Sequence, residues 1–205
     1  MLNHISDADF HSALDNEDEL GSVIRVHLHI EYYVNELLKL LAVEPQSILS
    51  MKLDYSSKLD LLVALGVDEQ TKPMLLQLGR LRNKFAHDLG YQLNNDSVGA
   101  LYDKLPSAQK QLLHTCYKKV TCKSDGVNNK SYAALLPKSK FTLIAIVIRR
   151  HLITLVEKID GQLVLEKNRI TNCLRVIRNA WHFYYALVLV FKVVCGSFGI
   201  ALLTP

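Results

Sequence analysis

Apolar residues recur every three or four positions over most of the first 160 residues. Val23, Ile24, Val26, Leu28, Ile30, Val34, Leu37, Leu38 and Leu41 follow the 3.6-residue period. They predict a long helix over about 22–43, with Ser22 as N-cap and Pro45 as its stop. Leu59, Leu61, Leu62 and Leu65 repeat the pattern over 57–66, and Gly66 closes that helix. Asp68 or Thr71 opens the next helix, with Pro73 in its first turn. Its apolar stripe is Leu75, Leu78, Leu81, Phe85 and Leu89, and it ends at Gly90. Asp96 caps a helix over roughly 97–104, and Pro106 and Ser107 start another over about 107–121. A strongly apolar helix over 141–160, from Phe141 to Asp160, stops at Gly161. No period-two strand pattern precedes residue 160. The reading is an all-α, antiparallel helical bundle with short connections.

Three segments break the rhythm. Residues 1–20 are polar and acidic, and either fray or form a short helix around Asp7–Leu14. Residues 122–140 carry turn formers and four lysines, which predicts a basic loop. Residues 162–205 form a C-terminal extension, basic up to Arg178 and then almost uncharged. This divides the chain into an N-terminal segment 1–20, a bundle 21–161 and an extension 162–205. Within the extension, 183–203 holds one charge, Lys192, in 21 positions, a length that can span a bilayer. A lysine at the bilayer centre costs roughly 2.5–3.5 kcal/mol, and Gly196, Ser197 and Gly199 weaken the run further. Burial in the fold or in a dimer is therefore the favoured reading, as a helix or as a strand pair around Leu187–Val194. Membrane contact ranks second.

Composition excludes little beyond disorder: 205 residues, 49% apolar and 21% charged, are ordinary for a protein with a full core. Charge changes the picture more. The net charge of +4 hides 8 basic against 16 acidic residues over 1–103, and 16 against 4 over 104–205. Such a basic half suits nucleic acid or a membrane surface; the alternative is dimer steering or a solvated basic face. Six acids and no Lys or Arg in the first 20 residues argue against a signal peptide, so a cytoplasmic chain with unpaired thiols is expected. Cys116, Cys122, Cys173 and Cys195 form no Cys-x-x-Cys pair, and His114, Cys116 and Cys122 fit no zinc spacing. Neither a metal nor a cofactor is expected.

The segment that carries chemistry is Leu81-Arg82-Asn83-Lys84-Phe85-Ala86-His87-Asp88. On a helix Asn83 and His87 share a face, and Arg82 lies about 100° to one side of Asn83. A guanidinium grips phosphate oxygens bidentately and offsets developing charge. An imidazole moves a proton near neutral pH. The amide can hold a 2′-hydroxyl or fix the imidazole. The trio suits RNA cleavage without a metal, although most such Arg/His pairs on helices are structural.

Arg-Asn-Lys-Phe-Ala-His, with four residues between Arg82 and His87, resembles the signature of the HEPN superfamily. Ile30-Glu31-Tyr32-Tyr33-Val34-Asn35-Glu36-Leu37-Leu38 resembles its first core helix. Lys58 to Gly66 resembles the linking segment, and Phe141 to Asp160 the last bundle helix. The order is similar to the branch around the mannitol operon repressor and related proteins of prophage and defence loci. The likeness covers roughly residues 20–160. It implies a homodimeric bundle in which Arg82 and His87 of two protomers form a composite endoribonuclease site. In that arrangement Arg82 would bind the scissile phosphate, His87 would act as general acid/base and Asn83 would support them. The expected products are a 2′,3′-cyclic phosphate and a 5′-hydroxyl. The biological role implied is a toxin or phage-defence effector acting on RNA, in some cases paired with a nucleotidyltransferase-like antitoxin. The alternative within the same resemblance is a non-enzymatic transcriptional or protein-interaction regulator, like the mannitol operon repressor.

Other residues join this picture at its edges. Glu31 and Lys84 are candidate supports, Glu31 by pairing with Arg82 or with a lysine of the motif helix. His27 and His29 read as core or surface histidines, although His27 could approach the motif from its neighbouring helix. Lys118, Lys119, Lys123 and Lys130, with Lys138 and Lys140, are candidate RNA contacts around the 122–140 loop. Arg175, Arg178 and His182 have the wrong spacing for a second motif, and packing is the expected fate of the nearby Trp181, Phe183, Tyr184 and Tyr185.

Overall fold

A computed structural model describes residues 5–88, 90–123 and 132–165. All regular structure among the described residues is helical, and no strand occurs. The helices are α1 (Asp7–Asp15), α2 (Glu19–Leu41), α3 (Pro45–Ser50), α4 (Tyr55–Ala64), α5 (Thr71–His87), α6 (Asn95–Asp103) and α7 (Ser107–Lys123). A single 3-10 turn (Tyr132–Ala134) precedes α8, which starts at 137 and is helical through 165. The chain divides into two units, Met1–Ile159 and Asp160–Pro205. Of the second, residues 160–165 are described, and they are helical.

The all-α reading holds. Helix α2 is the hub, packed on α1, α3, α4 and α5, while α5 also contacts α4 and α6. Its apolar stripe supplies Val23, Val26, Ile30, Val34, Leu37 and Leu38 to the core. The same core takes in Leu75, Leu78, Leu81 and Phe85 of α5 and Phe141, Ile144, Ile148 and Leu152 of α8. Burial of these one-sided stripes is what drives helices of this length to form.

Several helix ends differ from the sequence reading. Asp18, not Ser22, caps α2, its carboxylate accepting from the Gly21 amide at 2.6 Å. Ser22 is buried and donates to the Leu14 carbonyl at 3.1 Å, so its hydroxyl ties α2 to α1. Pro45 does not only stop a helix, since it opens α3, where its missing N–H has no partner to lose. Asn94 rather than Asp96 caps α6, in a reciprocal pair with Ser97. The predicted loop shrinks at both ends, because α7 reaches Lys123 and α8 begins at 137. Gly161 does not terminate α8. Gly66 behaves as expected: it adopts φ +100°, and Val67 donates back to Leu62 while Gly66 donates to Val63.

The acidic N-terminal stretch does not fray where it is described. Ser6 caps α1, and Phe10 and Leu14 are fully buried. Asp7 pairs with Arg149 of α8, a side chain only 1% exposed. That guanidinium also donates to the Ile5 carbonyl and lies 4.8 Å over the Phe10 ring. Leu89, Lys130, Cys173, Cys195, Arg175, Arg178, Trp181, His182 and the whole 183–203 segment lie outside the described residues.

Candidate functional site

Helix α5 presents two kinds of side chain. Its buried stripe holds it against α2 and α4. Leu76, Arg80, Asn83 and His87 fall at i, i+4, i+7 and i+11, one line along the other face. The first three line a cleft of about 580 Å³, walled also by His27 and Glu31 of α2 and by residues 53–56 at the start of α4. Arg82 reaches the same cleft from the side, half-buried, and its Nη1 donates to the Asn83 Oδ1 at 2.9 Å.

Gly79 makes the wall possible. A Cβ there would lie 2.9 Å from the Tyr55 ring, so the ring packs directly on the α5 backbone. Tyr55 also donates its hydroxyl to the Leu75 carbonyl at 3.2 Å. Burial pushes its phenol well above the ordinary range, with the Glu31 carboxylate adding to the effect. The ring lies 4.6 Å from the His27 ring.

His27 is buried, with its Nδ1 3.9 Å from the Glu31 carboxylate. Burial lowers its pKa, Arg82 and Lys58 lower it further, and Glu31 opposes them. The imidazole is therefore neutral at pH 7. Glu31 accepts from Lys58 of α4 at 2.6 Å. Burial alone would raise its pKa, but the hydrogen bond and charge of Lys58 outweigh that and hold the carboxyl below its usual value.

The arrangement corrects part of the sequence reading. Glu31 pairs with Lys58, not with Arg82 or a lysine of the motif helix. Lys84 stays out of the cleft and lies 5.6 Å over the Tyr91 ring. His87 is exposed and sits one turn beyond Asn83, past the end of the cleft. Arg82 and His87 are five residues apart, hence about 140° around the helix and ~7.5 Å along it. Within one chain they do not converge on one small group. Lys138 donates to the Asp15 and Glu17 carbonyls, and Lys140 to Asn95 Oδ1, so both are engaged in the fold. Lys118 is exposed on α7, and Lys119 and Lys123 lie on the same helix.

Sequence reasoning passed over Tyr55, Lys58, Gly79 and Arg80. A glycine inside an unbroken apolar helix pattern was the available signal, since such a residue marks a close approach. His114 engages the Tyr102 hydroxyl at 2.8 Å, and no metal-holding group of three His, Cys, Asp or Glu side chains occurs among the described residues. No described helix is long and apolar enough to cross a membrane. No protein-family model, no curated protein and no solved structure matches this chain.

Proposed function

We propose that the protein is a metal-independent endoribonuclease of HEPN type that acts as a dimer. The observation that carries the reading is the state of Arg82. Its guanidinium faces an open cleft, and among the described residues no carboxylate lies within ion-pair distance of it. An arginine held by one neutral amide keeps most of its donors available for phosphate oxygens. His87 is exposed on the same helix, within reach of any second molecule that docks there. Because the two side chains diverge within one chain, the composite site needs two copies, as the HEPN resemblance implies.

The chemistry would be a transesterification. One His87 takes the proton of a 2′-hydroxyl as its oxygen bonds to phosphorus. The P–O5′ bond breaks, and the departing 5′-oxygen takes a proton from His87 of the partner subunit. Arg82 neutralises charge on the non-bridging oxygens, and Asn83 orients Arg82. A role as a toxin or phage-defence effector, with or without a nucleotidyltransferase-like antitoxin, belongs to the same proposal.

The test uses purified protein with total RNA in EDTA. Wild type cuts, whereas Arg82→Ala and His87→Ala each lose about a hundredfold or more. Mixing the two inactive variants restores no activity, because a mixed dimer carries one His87 where the step needs two. Intact RNA with wild type would sink the reading. The position of His87 outside the cleft would then favour the non-enzymatic regulator.

A further inference from the structure

The cleft beside Arg82 is larger than a phosphate requires, and its walls are of two kinds. Its two carboxylates are both engaged: Glu31 with Lys58, and Asp54 with the Ser57 amide at 2.9 Å as the cap of α4. Arg80 and Arg82 have no ion-pair partner among the described residues. Beside these cations stand Leu53, Leu76 and Tyr55. A volume of about 580 Å³ lies in the range of small-molecule sites. A cationic rim next to an apolar and aromatic wall suits an anion carrying a flat, partly apolar body.

We propose that each chain holds one nucleotide unit of its RNA in this cleft, with Arg80 and Arg82 on the phosphate and the Leu53–Tyr55–Leu76 wall against the nucleoside. The proposal rests on Arg82 as a phosphate ligand and assigns the substrate subsite beside it. Arg80 is a phosphate-binding residue here, outside the Arg82–His87 pair. The exposed Ser56 marks the mouth of the cleft.

Binding is measured apart from cleavage, by calorimetry on the full chain at low salt. The probes are uridine and adenosine 5′-monophosphate and inorganic phosphate. Expected is binding of a mononucleotide at least about tenfold tighter than inorganic phosphate. Arg80→Ala should weaken it about tenfold, Arg80→Lys less so, because lysine lacks the bidentate fork. Ser56→Glu should abolish binding with the melting temperature unchanged. Equal affinity for phosphate and nucleotide would overturn the nucleoside half of the site. The absence of any binding at millimolar nucleotide would overturn the inference altogether, while RNA cleavage in EDTA would still stand or fall by its own assay.

Discussion

Gly79 and Tyr55 fix the floor of the cleft by a contact that only glycine permits. In Gly79→Ala the new methyl would meet the ring at 2.9 Å, far inside contact distance. The ring is hydrogen-bonded to α5 and packed on His27, so it cannot move without breaking those contacts. Overpacking of this kind costs about 1–3 kcal/mol. Chemical denaturation should show a loss in that range, and unchanged stability would mean that the ring yields at no cost. The sequence made the motif itself visible, because Arg82, Asn83 and His87 are fixed by helical spacing. It could not show what surrounds them. Glu31 meets Lys58 across 27 residues, and His27 meets Tyr55 across two helices. Pairings of that range are set by tertiary packing, not by local pattern.

At the scale of elements, α1 is part of the core and its removal should be costly. Phe10 is 1% exposed, edge-on to the His29 ring and beneath the Arg149 guanidinium. Phe10→Ala should destabilise by about 3–5 kcal/mol. A loss below about 1 kcal/mol in urea titrations, the scale of an ordinary surface change, would show that α1 is an appendage. The apolar periodicity of α2, α5 and α8 was legible because each buries a single broad stripe. The short helices were harder. α1 has two buried apolar residues in an acidic setting, and α3 has no stripe to read. Cap positions shifted for a related reason. Ser, Asp and Asn are near-equal caps, and the choice between Ser22 and Asp18 fell to the packing of α2 on α1.

The whole molecule carries a pH dependence that no single helix reveals. His27, His29 and His151 all sit below the ordinary imidazole value of 6.5, burial being the first cause for each. For His29 the charges of Arg149 and Arg25 add to burial, and for His151 Asp68 partly offsets it. Below that value the unfolded chain binds more protons than the folded one. The stabilisation from keeping these rings neutral is complete above pH 6.5 and is lost as the pH falls beneath it. The melting temperature should therefore drop between about pH 7.5 and about pH 5.5. A level or rising value over that window would contradict the burial of these rings.

The pairing of Asp7 with Arg149 joins positions 142 residues apart. Synthesis proceeds from the N-terminus, so α1 leaves the ribosome long before its counter-charge exists. Until α8 emerges, Phe10 lacks the Arg149 guanidinium that lies over its ring, and Asp7 lacks its partner. The nascent chain is thus an exposed, negatively charged set of amphipathic helices for most of its synthesis.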